Sequence, residues 1–142
     1  MTHTVLAIAC DHGGFALKSA IKQRFSDIEW LDLGTDSAES VDYPEFGQAM
    51  GRAITDGKAE RGILICGSGI GISIAANRFP AVRAALCTSV EMAKLARQHN
   101  NANVLALGER IIDQDTAFAC VEAFLNTEFE GGRHERRVTK LG

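Results

Sequence analysis

The sequence has no long apolar run, no excess of charge of one sign and no closely spaced pair of cysteines. Its 142 residues carry a formal net charge of −3, which gives no general attraction to nucleic acid or to a membrane surface. The apolar run over residues 5–9 is too short for a signal-peptide core or a membrane span. These absences predict a cytoplasmic protein that binds neither nucleic acid nor a membrane.

The four cysteines stand far apart, at positions 10, 66, 87 and 120. Without a Cys-x-x-Cys pair, neither a zinc ribbon nor a thioredoxin-type site is expected. No two histidines share a helical or strand spacing, so no bound metal is expected. We expect Cys10, Cys87 and Cys120 to be buried, structural and reduced.

Short β-rich runs alternate with helical patterns along the whole chain, which has no repeat, linker or low-complexity tract. We therefore expect one domain over residues 1–142. Most runs are apolar without alternation, which is typical of parallel strands covered on both faces. The pattern predicts an α/β fold with right-handed crossovers around a five-stranded parallel sheet. The predicted strands are Thr4–Ala9, Ile28–Leu33, Gly62–Cys66, Arg83–Cys87 and Asn103–Leu107.

Apolar stripes at helical spacing predict five helices between and after these strands. The second helix begins near Pro44 and ends at Gly57, and the third ends before Pro80. The fourth begins with "TSVE" over residues 88–91, which predicts a capping box between Thr88 and Glu91.

In such a sheet, ligands bind beyond the carboxyl ends of the strands. His99 and Asn100 instead precede the fifth strand, so they are expected at the amino edge. A five-residue strand spans roughly 17 Å, too far for His99 to meet Cys66 within one subunit. Either His99 is unrelated to the site or a second subunit supplies it. The segments expected at the carboxyl edge are residues 10–14, 34–35, 66–68, 87–88 and 108–110.

The stretch "ILICGSGIGIS" (residues 63–73) carries a strand into a glycine-rich turn. Its glycines have the wrong spacing for a dinucleotide fingerprint, no Gly-Lys-Ser/Thr follows, and Cys66 lacks the flanking glycines of a nucleophile elbow. What remains is a thiol beside the exposed backbone amides of a helix start, which favour anionic character nearby. The alternative is a buried structural cysteine.

Two further groups are candidates for ligand binding. Asp11 and His12 follow the first strand at the same edge, although such a pair is often a simple turn. In the tail, Arg133 and Arg137 would share one helix face while Arg136 points elsewhere. Two guanidinium groups on one face can grip a phosphate, although a solvated basic terminus is equally compatible with the sequence.

The segments "CDHGGFALK", "DYP", "ILICGSGIGISIAANR", "RQHNNANVLALGER" and "EGGRHERRV" together resemble the B-type ribose-5-phosphate isomerases and their galactose-6-phosphate isomerase relatives. The resemblance covers nearly the whole chain in order. It implies a cofactor-free aldose–ketose isomerase with a Rossmann-like α/β/α fold. It also implies a homodimer or tetramer whose active site lies between two subunits.

The resemblance also assigns roles to residues. It places Cys66 as the base that moves a proton between C1 and C2 of the sugar. Ile72 stands where other members have a glutamate, which indicates the cysteine subtype. Asp11 and His99 match residues associated with ring opening, and Ser68 belongs to the loop that cradles the enediolate. The remaining matched positions contact substrate or its phosphate: His12, Tyr43, Gly67, Gly69, Gly71, Asn100, Arg110, Arg133 and Arg137.

The expected reaction is interconversion of ribose 5-phosphate and ribulose 5-phosphate through a cis-enediolate. Another sugar phosphate, such as galactose 6-phosphate, allose 6-phosphate or erythrulose 4-phosphate, is the alternative within the class. A cysteine-dependent hydrolase and a non-catalytic sugar-phosphate sensor are rivals from other classes. The C-terminal segment, residues 128–142, is expected to pack on the site or on a partner subunit.

Overall fold

The computed structural model describes residues 5–142, in which five strands alternate with helices. The strands are β1 (Val5–Cys10), β2 (Glu29–Asp32), β3 (Arg61–Cys66), β4 (Ala84–Leu86) and β5 (Val104–Gly108). The helices are α1 (Phe15–Arg24), α2 (Tyr43–Thr55), α3 (Ile70–Asn77), α4 (Val90–Asn100), α5 (Gln114–Asn126) and α6 (Arg133–Thr139). A single 3₁₀ turn, His12–Gly14, lies between β1 and α1.

All strand pairs are parallel, and their spatial order is β2-β1-β3-β5-β4. The predicted α/β fold with a five-stranded parallel sheet is confirmed. Each end of the predicted strands lies within one residue of the observed end. Thr4, where the first strand was predicted to begin, lies outside the described residues. No helix within residues 5–142 is long and apolar enough to cross a membrane.

Helices cover both faces of the sheet. One face packs against α1, α4 and α5 through an apolar cluster that includes Ile21 and Phe124, and the other packs against α2 and α3 through Met50 and Ile72. The central strands β1, β3 and β5 are almost wholly buried, as predicted. The edge strands β2 and β4 are partly exposed, because each has a neighbouring strand on one side alone.

The start of α4 differs from the predicted capping box. Ser89, not Thr88, is the capping residue: its Oγ accepts a hydrogen bond from the Met92 backbone N–H at 3.2 Å. With Ser89 as the cap, the third helical position is Met92, and Glu91 falls one position too early for the reciprocal bond. Two adjacent hydroxyl residues made this boundary ambiguous by one position.

A buried ion pair ties α1 to the sheet. Lys18 Nζ, on a side chain only 2% exposed, lies 2.7 Å from Asp32 Oδ1 and 2.6 Å from the Thr35 carbonyl oxygen. Asp32 also pairs with the more exposed Lys22 at 2.7 Å. Burial alone raises the pKa of Asp32, but hydrogen bonds from Lys18 and Lys22 outweigh it and hold that pKa below its usual value.

The C-terminal segment packs on α4 of its own chain. Arg97 Nε donates to the Thr127 carbonyl at 3.1 Å, and the Glu130 backbone N–H donates to the Gln98 carbonyl at 3.1 Å. These bonds place α6 beside the carboxyl end of α4. Packing of residues 128–142 on a partner subunit stays a prediction.

Candidate active site

The carboxyl ends of β1 and β3 lie side by side, where the chain order of the sheet reverses. The Asp11 backbone N–H, just after β1, donates to the Ile65 carbonyl oxygen of β3 at 3.3 Å. Gly14 makes the close approach possible, since a Cβ atom there would lie 2.6 Å from the Ile65 carbonyl oxygen. Open parallel sheets bind ligands at this kind of reversal, and the loops that follow β1 and β3 meet there.

The thiol of Cys66 lies at the end of β3, directly before α3. Its side chain is nearly buried, with the residue 5% exposed, and Sγ accepts a hydrogen bond from the Gly69 backbone N–H at 3.1 Å. Gly69 has a φ of 79°, a left-handed conformation that favours glycine. This turn aims an amide at the sulfur just where the positive end of the α3 dipole begins. The Gly69 amide and the first turn of α3 therefore both face Sγ.

A cavity of about 570 Å³ opens beside this thiol. Its walls bring together two charged side chains, Asp11 and Arg110, with apolar surface from Ile70, Ile74 and Ile111. Asp11 is 7% exposed, and its Oδ1 accepts from the Gly13 backbone N–H at 2.9 Å. Of the predicted site residues, the cavity is lined by Asp11, Tyr43, Cys66, Gly67, Ser68, Gly71 and Arg110.

The other three cysteines are buried, as expected. Burial raises the pKa of Cys10 to about 11 and that of Cys87 to about 12, and it also raises the pKa of Cys120. These thiols therefore stay protonated at neutral pH. Cys66 differs from them because it lines the cavity.

His12 lies in the turn after β1, and its ring contacts the backbone of Val41. Its Nδ1 is 3.1 Å from the Val41 backbone nitrogen and 3.2 Å from the Val41 carbonyl oxygen. If the neutral ring accepts from the Val41 N–H, its proton is on Nε2, which can then donate to an anionic ligand.

Four predicted site residues lie elsewhere in the subunit. His99 and Asn100 end α4 at the amino edge of the sheet, and Asn100 lines a separate cavity with Arg83 and Leu141. Arg133 and Arg137 lie exposed on α6. The structure thus places these four residues apart from the cavity of their own chain.

Two residues that the sequence analysis did not select, Glu130 and His134, lie against His99. The His99 and His134 rings stack with centroids 4.2 Å apart and planes 12° from parallel. The ligand atoms of the three side chains lie within 4.8 Å of one another, as at a metal site. However, one cation cannot lie in two nearly parallel ring planes 4.2 Å apart, so this arrangement does not suit joint coordination. The four-residue spacing of Glu130 and His134 is the sequence feature that could have indicated their contact.

Comparison with known proteins places the chain in a family. The family described as Ribose/Galactose Isomerase matches residues 6–141. Ribose-5-phosphate isomerase B of Escherichia coli is 45% identical over 138 residues, which cover 96% of this chain and 93% of that protein.

The chain belongs to the ribose/galactose isomerase family.

Two solved structures agree with this assignment. Ribose-5-phosphate isomerase B of Clostridium thermocellum superposes with a TM-score of 0.96 at 49% identity, covering 98% of this chain and 95% of that one. The enzyme of Thermotoga maritima superposes with a TM-score of 0.95 at 50% identity, covering 99% and 98%. Family membership confirms the B-type resemblance and makes the chain a sugar-phosphate isomerase.

Proposed function

We propose that the chain interconverts ribose 5-phosphate and ribulose 5-phosphate, with Cys66 as the base. The observation that carries the proposal is the hydrogen bond from the Gly69 amide to Sγ of Cys66 at the wall of the cavity. A base beside a carbonyl substrate needs its anionic form stabilised, and the start of α3 supplies an amide and a helix dipole for this.

The reaction on the open-chain sugar moves one proton from C2 to C1 by way of Sγ and one proton from O2 to O1. The C2 proton of the aldose passes to Sγ of Cys66, its bonding electrons form the C1–C2 double bond, and the carbonyl electrons move to O1. The amides of residues 67–71 stabilise this enediolate oxygen. The O2 proton moves to O1, C2 becomes the carbonyl carbon, and Sγ returns its proton to C1. Composition and charge are unchanged, so no oxidant or external hydride is needed.

The site is completed by a second copy of the chain. His99, Asn100, Arg133 and Arg137 lie apart from the cavity of their own subunit, and the cavity is bordered by exposed apolar residues. Ile70 is 52% exposed and Ile74 is 59% exposed, which suits an interface. In a homodimer or tetramer, these four residues reach the partner's cavity. His99 then acts with Asp11 in ring opening, while the arginines join His12 and Arg110 around the phosphate.

The substrate itself is tested by a turnover panel of four-, five- and six-carbon sugar phosphates, compared by kcat/KM. We expect ribose 5-phosphate to give the highest value and unphosphorylated ribose a very low one. Higher kcat/KM with galactose 6-phosphate, allose 6-phosphate or erythrulose 4-phosphate would assign the chain to that substrate instead. Equal turnover of ribose and ribose 5-phosphate would contradict phosphate recognition. Activity should persist in EDTA, since no step of the proposal uses a metal.

The base is tested with Cys66→Ser, which keeps the shape but replaces the thiol with a far weaker acid. We expect kcat to fall at least about a hundredfold, the usual scale for a general base, with little change in substrate affinity. Wild-type protein should exchange the C2 hydrogen of the aldose with deuterated solvent, and the variant should not. Normal exchange in Cys66→Ser would make the cysteine structural. A stable covalent adduct would favour a hydrolase, and binding without turnover would favour a sensor.

A further inference from the structure

Outside the cavity, two imidazoles and a carboxylate lie together at the junction of α4 and the C-terminal segment. The rings of His99 and His134 are stacked. Oε1 of Glu130 lies 3.5 Å from Nε2 of His134 and 3.9 Å from Nε2 of His99. A single carboxylate oxygen therefore faces the same nitrogen of both rings.

Glu130 is held in this place by its backbone. Its N–H donates to the carbonyl of Gln98, the residue before His99, at 3.1 Å. The Arg97–Thr127 bond anchors the same segment three residues earlier. Since neither bond uses the Glu130 carboxylate, that carboxylate can be altered without removing the anchors.

The two rings differ in exposure. The His134 side chain is 11% exposed, whereas that of His99 is 41% exposed and that of Glu130 is 51% exposed. The His134 ring is therefore buried behind the His99 ring. The His99 ring is the one that is accessible to a ligand or to a partner.

The surroundings of His134 disfavour protonation of both stacked imidazole rings at the same time. Desolvation lowers the pKa of His134, the charge of His99 lowers it further, and Arg133 and Arg137 act in the same direction. Glu130 alone among these groups raises it. Two imidazolium rings 4.2 Å apart would repel. One carboxylate therefore favours one positive charge on the pair, and not two.

We propose that Glu130 is a positioning residue for ring opening, which accepts a hydrogen bond from the Nε2–H of His99 and so leaves Nδ1 of His99 as the base. The inference rests on the proposed function. The present 3.9 Å exceeds a hydrogen bond, but the carboxylate is exposed, and catalytic contacts commonly tighten when substrate binds. A carboxylate that fixes the tautomer of a histidine and stabilises its imidazolium form is a known catalytic arrangement.

The step it serves is opening of the furanose. The O1 proton of the cyclic sugar passes to Nδ1 of His99, and the O1 electrons form the C1 carbonyl as the C1–O4 bond breaks. O4 takes a proton from solvent, and His99 later returns its proton to solvent. Meanwhile Glu130 stabilises the imidazolium of His99, and neutral His134 stacks on it without adding a second charge.

Comparing ribose 5-phosphate with ribulose 5-phosphate distinguishes ring opening from proton transfer between C2 and C1. Ribose 5-phosphate closes to a furanose through O4, whereas ribulose 5-phosphate stays open because its O5 carries the phosphate. In Glu130→Gln we expect kcat/KM for ribose 5-phosphate to fall about tenfold or more, the scale for removing an orienting partner. Deuterium exchange at C1 of ribulose 5-phosphate should stay within about twofold. Glu128→Gln, an exposed acid in the same segment, is the matched control and should change neither.

Two further readouts report on charge and not on folding. The acid limb of the kcat/KM profile for ribose 5-phosphate should move to lower pH in Glu130→Gln, because the stack becomes harder to protonate. By NMR, the titration midpoint of His134 should fall in Glu130→Gln and rise in His99→Asn.

Far-UV circular dichroism checks that the Glu130→Gln variant is folded. Equal losses in both reactions, unchanged ribose 5-phosphate turnover, an unmoved acid limb or an unmoved His134 midpoint would each overturn the inference. If Glu130→Gln does not fold, Glu130→Asp takes its place, with partial retention of turnover expected and full loss contradicting a positional role. Failure of the wild-type protein to isomerise ribose 5-phosphate would instead overturn the proposed function.

Discussion

At the scale of single residues, the four cysteines differ in burial, contacts and access to the cavity. We expect iodoacetamide to modify native protein at Cys66 alone. The burial that raises the pKa of Cys10 and Cys87 leaves those thiols protonated and shielded. Peptide mapping by mass spectrometry should find one modified site, protected by sugar phosphate. The Cys66→Ser variant is the control and should remain unmodified. Comparable labelling of Cys87 in native protein would contradict this division.

The tail arginines give a second prediction at this scale. In Arg137→Ala we expect KM for ribose 5-phosphate to rise about ten- to a hundredfold with a smaller effect on kcat, because a charge-assisted contact to phosphate is lost. Arg136→Ala removes the same charge from the neighbouring position of α6 and should change KM much less. Steady-state kinetics of the two variants side by side make the comparison. Equal rises in KM would indicate general attraction by positive charge.

The proximity of some site residues could be predicted from the sequence, and that of others could not. Cys66, Ser68 and the glycines lie in one continuous turn, so their proximity was inherent in the sequence. Asp11 comes to the same cavity because β1 and β3 are parallel neighbours. The contact between His99 and His134 joins positions 35 residues apart, and no periodicity of either helix predicts it. Their roles in catalysis stay predictions.

At the scale of secondary-structure elements, the connection from α1 to β2 depends on a buried charge. We expect Asp32→Asn to lower the free energy of unfolding by about 3 kcal/mol, since it leaves the Lys18 ammonium buried without its counter-ion. Lys22→Met is the control, and it should cost about 0–1 kcal/mol because its ion pair is exposed. Urea unfolding at neutral pH measures both.

The same pair predicts a pH dependence. The pKa of Asp32 is lower in the folded than in the unfolded chain, where it is about 3.9. The contribution to stability is therefore complete above the unfolded value, and it is lost as pH falls through the folded value. In wild-type protein the unfolding free energy should drop over this acid range, and Asp32→Asn should flatten the drop. An identical acid slope in both proteins would show that other carboxylates cause it.

Elements also show where sequence patterns stop being informative. Apolar runs located the central strands β1, β3 and β5, because burial on both faces of a parallel sheet requires them. They could not give the order β2-β1-β3-β5-β4, since each run fits any neighbour equally well. The one-residue error at the α4 cap has a similar origin, because Thr88 and Ser89 both carry a hydroxyl and the choice depends on backbone angles.

At the scale of the whole molecule, the proposed shared site predicts complementation between subunits. Cys66→Ala and His99→Asn should each be nearly inactive as homo-oligomers. If the two residues serve one site from different chains, a mixed dimer holds one intact site. Random pairing after joint unfolding and refolding should then restore roughly a quarter of wild-type activity. No recovery, with mixed dimers verified by native mass spectrometry, would place both residues in one subunit's site.

Two tightly packed glycines, Gly14 and Gly108, affect how intolerance to substitution should be interpreted. A Cβ atom at Gly14 would lie 2.6 Å from the Ile65 carbonyl oxygen, and one at Gly108 would lie 2.4 Å from that of Ser68. In a substitution screen scored by growth, we therefore expect Gly14 and Gly108 to tolerate substitution as poorly as Cys66 does. The reason at the glycines is a steric clash with the backbone and not the loss of a reactive group. Cellular abundance should separate them: substitutions at Gly14 and Gly108 deplete the protein, whereas those at Cys66 leave a full complement of inactive enzyme.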